Sequence, residues 1–84
     1  MAFTNDEIKD ILFQAIGKAI KRDPATLSVD DKWIDDLGFR SVQGMKVCGL
    51  LNYNLKITVP LTALIECDTL QDAIDMLAKM TAEA

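Results

Sequence analysis

The sequence predicts an all-α fold, a four-helix bundle with three main helices, one short helix and a long first loop. Three observations predict it. An apolar stripe at helical spacing runs from Ile8 to Ile20, and a second runs from Leu70 to Leu77. The only alternating stretch, Tyr53, Leu55, Ile57 and Val59, would make one strand with nothing to pair against, so it reads as an extended loop ending at Pro60.

The first helix is the clearest element. Ile8, Ile11, Leu12, Ala15, Ile16, Ala19 and Ile20 repeat every three or four residues and form one continuous stripe. Thr4 and Glu7 have the T-x-x-E spacing of a capping box, and Phe3 and Ile8 occupy the positions of a hydrophobic staple. Lys18, Lys21 and Arg22 gather at the far end, where the helix dipole favours positive charge, and Asp23-Pro24 stops the helix. Phe13 and Gly17 lie off the stripe.

Residues 23–40 read as one long connection with little periodicity. Loops of that length in a small domain are usually tied down or functional. Leu27, Val29, Trp33, Ile34, Leu37 and Phe39 are the expected pegs, with Trp33 anchoring the loop rather than stacking on a ligand. The acidic run Asp30 to Asp36 lacks the alternating ligands, central glycine and closing glutamate of a calcium loop, and reads as a solvated acidic face.

A second helix starts at Ser41 and runs to about Leu51 or Asn54, its apolar side made by Val42, Met45, Val47, Cys48, Leu50, Leu51 and Leu55. Gly44 and Gly49 weaken it, and glycines inside a helix suggest a close neighbour. Leu61 to Glu66 allows one or two helical turns. Asp68 or Thr69 then caps a final helix that buries Leu70, Ala73, Ile74 and Leu77, flanked by Met76 and Met80.

Composition narrows the function. The 84 residues make one small domain, 1–84, that buries roughly 60% of its unfolded surface. There is no histidine, which removes an imidazole base, a Cys–His pair and any His-containing zinc site. A net charge of −4 argues against nucleic acid, which needs a basic face, and against an anionic membrane surface. The acidic N-terminus lacks the basic start and apolar core of a signal peptide, and no run of eighteen apolar residues occurs. A cytoplasmic location is expected, with Cys48 and Cys67 as free thiols. The length and charged ends suit a discrete protein, expected to be a monomer.

Serine is a preferred helix cap, so Ser41 alone is unremarkable. Its surroundings are not. Asp35-Asp36-Leu37-Gly38-Phe39-Arg40-Ser41-Val42 resembles the D-x-L-G-x-D-S-L signature of acyl carrier proteins, with Asp36, Leu37, Gly38 and Ser41 fitting directly. Ile57-Thr58-Val59-Pro60 is similar to the family's I-x-[IV]-P segment, and Thr69-Leu70-Gln71-Asp72-Ala73-Ile74 to its entry into the last helix. The order of elements agrees over roughly residues 5–80.

The resemblance implies a four-helix bundle of acyl-carrier type, and a chain that is not itself an enzyme. It implies 4′-phosphopantetheine joined covalently to Ser41 by a phosphopantetheinyl transferase, with an acyl group held as a thioester for acyl-transferring or condensing enzymes. A phosphodiester at a helix N-terminus meets free backbone amides and the positive end of the dipole. Val42, Met45, Leu50, Leu64, Ile65, Cys67 and Ile74 are candidates to shelter the acyl chain, each buried methylene contributing about 0.8 kcal/mol.

The chain departs from the family in charge. The residue before the serine is usually acidic in carriers and here is Arg40. From Arg40 to Thr58 there are three bases and no acid, whereas residues 28–39 hold four aspartates against one lysine. Complementary charge sets encounter rate and partner choice. Arg40, Val42, Met45 and Lys46 are therefore the expected partner-binding residues of a specialised carrier, in a fatty acid, polyketide or lipid pathway. The alternatives are an unmodified helical interaction module with a carrier fold, or a peptidyl carrier. A helix-turn-helix DNA binder suits the size but not the acidity. Catalysis by Ser41 lacks a base.

Overall fold

The computed structural model describes residues 3–83. Four α-helices follow one another: α1 (Asn5–Ile20), α2 (Ser41–Leu55), α3 (Leu61–Ile65) and α4 (Leu70–Glu83), with a 3-10 turn at Pro24–Thr26. The all-α expectation holds, and a single isolated bridge, Lys32 with Thr69, is the only β pairing among the described residues.

The helix α1 begins as its capping box dictates. The Glu7 N–H donates to the Thr4 hydroxyl at 3.2 Å and the Thr4 N–H donates to the Glu7 carboxylate at 2.9 Å. Ile8, Leu12, Ala15 and Ile16 are buried, and Ile11, Ala19 and Ile20 pack partly buried at the edge of the core. At the far end Lys21 turns left-handed (φ 57°) and the Arg22 N–H closes onto the Gly17 carbonyl at 2.9 Å. Phe13 and Gly17, off the sequence stripe, are also buried. The chain folds back here, setting Pro24 against Gly17 so closely that a Cβ on Gly17 would lie 3.0 Å from the proline Cγ.

The long loop is pinned at both ends. Trp33 is 2% exposed; its indole N–H donates to the Thr69 carbonyl at 3.2 Å, and its ring meets Phe39 edge to face at 4.8 Å. The Leu70 and Gln71 N–H groups donate back to the carbonyls of Asp31 and Val29, which ties the loop to the start of α4. Leu27 and Phe39 are buried, and Val29 and Leu37 partly so, as expected of pegs. Ile34 is not one: it is 58% exposed, because the tight turns spanning Lys32 to Gly38 direct it outward. The acidic run is also more than a solvated face. Asp31 accepts from the Ser28 N–H at 2.9 Å and Asp36 from the Lys32 N–H at 2.7 Å, so two of its carboxylates hold the turns. No cluster able to hold a metal occurs among the described residues.

The helix α2 reaches Leu55, so Tyr53 and Leu55 are helical and only the segment from Lys56 to Pro60 is the connection. There Val59 is buried and its N–H donates to the Asn52 side chain at 2.7 Å. In α4 the cap is Thr69, which exchanges bonds with Asp72, and Leu70, Ala73, Ile74 and Leu77 are buried as the stripe requires. Thr81 is buried as well, its hydroxyl satisfied by the Ala78 carbonyl at 3.1 Å. The core lies where α1 packs against α2 and α4, with α3 laid across α2. Both cysteines are free thiols, Cys48 buried and Cys67 half-buried.

Candidate functional site

Three consecutive residues deliver Ser41 to the surface. Gly38 turns with φ 64°, a left-handed conformation that favours glycine. Phe39 then plugs into the core against Trp33, and Arg40 leads out in extended conformation (φ −115°, ψ 166°). Ser41 is exposed and is the first helical residue of α2, not its cap. A buried aromatic two residues before it fixes where the hydroxyl emerges.

The start of α2 is electropositive. Its ladder begins with the Gly44 N–H donating to the Arg40 carbonyl at 2.9 Å, so the N–H groups of Ser41, Val42 and Gln43 precede the ladder. Arg40, in the cap position, has no oxygen to accept from them and makes no side-chain cap bond. Gln43 reaches back instead, its carbonyl oxygen accepting from the Arg40 N–H at 2.8 Å. No acid lies in the first turn. Free amide donors and the positive end of the dipole thus lie at Ser41, with an exposed arginine next to it in the chain, a setting that fits a phosphodiester on the serine oxygen.

The remaining expected site residues divide by face. Val42 is 77% exposed and Met45 60%, and Arg40 and Lys46 are exposed beside them. The inward side of α2 is Gly44, Val47, Cys48, Leu51 and Leu55. Gly44 marks the contact with α3, since a Cβ there would fall 2.7 Å from the Leu61 Cδ1. The seven residues expected to shelter an acyl chain do not converge. Leu64 and Ile74 are ordinary core, Val42, Met45 and Ile65 face outward, Cys67 is half-buried with its thiol donating to the Ala63 carbonyl at 3.4 Å, and Leu50 lines an open groove of about 240 Å³ with α1 residues Asp10, Ile11, Gln14, Ala15 and Lys18. Tyr53, exposed on the outward side of α2 with the Lys56 ammonium 5.0 Å from its ring centre, was not among the expected site residues; only the helix continuing past Asn52 places it there.

Comparison with known proteins agrees with this architecture. The phosphopantetheine attachment site family matches residues 10–77. No curated protein sequence matches the chain. Among solved structures, the solution structure of the 3,7-dioxo-octyl actinorhodin acyl carrier protein from Streptomyces coelicolor is similar with a TM-score of 0.67 at 21% identity, over 95% of this chain and 92% of that one. The chain belongs to the phosphopantetheine attachment site family and has the acyl-carrier fold: it is a carrier domain of the kind that bears 4′-phosphopantetheine covalently.

Proposed function

We propose that Ser41 is the attachment residue and that the chain, working as one carrier domain, presents an acyl intermediate to partner enzymes. One observation carries the reading: the exposed Ser41 hydroxyl stands at the open, electropositive N-terminus of α2, inside the matched region. On loading, the Ser41 hydroxyl gives up its proton to the transferase, its oxygen forms the new bond to phosphorus, the pyrophosphate of coenzyme A breaks, and adenosine 3′,5′-bisphosphate leaves. The group, once bound, supplies a terminal thiol that holds the acyl chain as a thioester. The chain's own residues orient and expose it: Phe39 and Trp33 fix the emergence point, and Arg40 with the first amides of α2 balances the phosphodiester charge. Among the described residues no helix is long and apolar enough to cross a membrane.

Phosphopantetheinyl transferase and acyl-transferring or condensing enzymes are the partners on this reading, meeting the domain at Arg40, Val42, Met45 and Lys46. Similarity to a carrier whose recorded cargo is a 3,7-dioxo-octyl group supports a polyketide-type pathway over a fatty acid or lipid one. The test is intact mass after incubation with coenzyme A and a broad-specificity transferase. A gain of one phosphopantetheine that disappears in Ser41→Ala is expected. No gain with several transferases would overturn the assignment in favour of an unmodified interaction module, in which Arg40 in place of the usual acid has ended recognition by the transferase. Arg40→Asp, which restores the usual acid, is expected to speed loading by a general transferase.

A further inference from the structure

The outward side of α2 is an apolar and basic stripe without a partner in the fold. Val42, Met45, Lys46, Gly49 and Tyr53 follow the i, i+3, i+4, i+7, i+11 spacing and so share a sector of about 100° on the helix. All five are exposed, Val42 and Tyr53 by roughly three quarters of their surface (77% and 74%). A Cβ on Gly49 would meet nothing within 4 Å, which leaves a shallow floor between the larger side chains. Arg40 stands at one end of the stripe. Lys56 stands at the other, its ammonium over the Tyr53 ring rather than on a carboxylate.

The helix carries no negative charge of its own, and the exposed Asp30 and Asp35 lie in the loop before it. No acid occurs from Arg40 to Thr58. In the preceding loop Asp31 and Asp36 are turned onto backbone N–H groups, and Asp72 is likewise engaged with Thr69. The stripe therefore presents three positive charges around two large apolar side chains and an aromatic, on a domain whose net charge is −4. Such segregation sets the direction of approach and disfavours a basic partner.

We infer that this stripe docks on an acidic protein surface, in which carboxylates facing Arg40, Lys46 and Lys56 surround an apolar hollow that takes Val42 and Met45. The inference rests on Ser41 bearing the arm, since docking through α2 then sets the arm at the partner's entrance. A condensing enzyme with such an entrance and a transferase with a similar one are the kinds of partner it fits. A basic entrance is excluded from efficient exchange.

The test loads the chain with a pantetheine whose thiol is replaced by an electrophile, confirms loading by mass, and measures cross-linking to a cysteine-dependent condensing enzyme. Two forms of that enzyme serve as probes: one with lysines and arginines around its arm entrance, and the same enzyme with those residues changed to glutamate. The glutamate form is expected to cross-link about tenfold faster at low salt, with the gap closing as salt is raised. The Lys46→Glu/Lys56→Glu double variant, loaded to completion as confirmed by mass before it is compared, is expected to reverse the preference. A loaded chain that prefers the basic form, or whose preference is unchanged in the double variant, overturns the charge inference and leaves the Ser41 assignment standing. Preferential co-sedimentation with phosphatidylglycerol vesicles, lost in the double variant, would assign the stripe to a lipid surface and overturn it too. A chain that gains no mass overturns both.

Discussion

Substituting alanine at Gly49 and at Gly17 separates helix propensity from packing. A glycine in a helix interior costs about 1 kcal/mol relative to alanine. At Gly49 the new methyl meets nothing within 4 Å, so Gly49→Ala is expected to stabilise by about that amount. At Gly17 the methyl would sit 2.6 Å from the Arg22 carbonyl oxygen and 3.0 and 3.2 Å from Pro24 Cγ and Cδ. That oxygen belongs to the backbone of a turn closed by the 2.9 Å bond from Arg22 N–H to the Gly17 carbonyl. It recedes only if the turn opens. Overpacking of this kind costs about 1–3 kcal/mol, so Gly17→Ala falls between neutral and about 2 kcal/mol destabilising once the propensity gain is set against it. In a domain of this size 1 kcal/mol moves Tm by about 4–8 °C. Far-UV circular dichroism on heating, with urea titration to check that m is unchanged, reads both variants. The reasoning is refuted if Gly17→Ala rises in Tm as much as Gly49→Ala, or if Gly49→Ala falls.

Four other outcomes follow from particular contacts. Trp33→Phe removes the indole donor to Thr69 and part of the contact with Phe39; a loss of roughly 1–3 kcal/mol in urea is expected, and an unchanged midpoint would remove Trp33 as the pin of the loop. The Thr4 N–H and hydroxyl hold the exposed Glu7 carboxyl below the ordinary carboxylate range. Its contribution is therefore present above that range and lost as pH falls through the lowered pKa, and Glu7→Gln should flatten the acid limb of stability against pH. Burial pushes both thiols up, and Asp72 and Glu66 push Cys67 further; iodoacetamide near neutral pH should label the arm of the loaded chain first, and earlier labelling of Cys48 or Cys67 would contradict this. Loading should raise Tm, because the phosphodiester caps α2; about 0.3–1 kcal/mol is expected, smaller in Arg40→Asp, and equal Tm values before and after loading would count against the cap.

Local interactions were legible in the sequence and returning chain was not. The Thr4–Glu7 box and the Ile8 to Ile20 stripe lie within one helix, and both are found as read. Phe13 and Gly17 were missed because α1 buries a second side, created only when the chain past Lys21 folds Pro24 onto it. Ile34 could not be placed, since a loop without period gives no sign of which side chains turn inward. At the site, the motif pointed to Ser41 and the charge pattern to Arg40 and Lys46, all found exposed at α2. The expected acyl-sheltering set failed for a rotational reason. Gly44 lies under Leu61, which sets the inward side of α2 on Gly44, Val47, Cys48 and Leu51 and turns Val42 and Met45 out.

The three long helices begin differently, and the difference coincides with the site. The first turn of α1 holds Asp6 and Glu7 with a complete capping box; that of α4 holds Asp72 bonded to Thr69. Both neutralise their positive ends within the chain. The helix α2 has no acid in its first turn, no side-chain cap, and a cation where the cap oxygen would be. It also contains Gly44 and Gly49, so neither propensity nor capping holds it, and burial of Val47, Cys48, Leu51 and Leu55 must. An oxygen-bearing residue at position 40 would contribute about 1 kcal/mol. The chain forgoes that at the one long helix whose first residue is an exposed serine, which leaves its amides and dipole for the phosphate that the serine oxygen would carry.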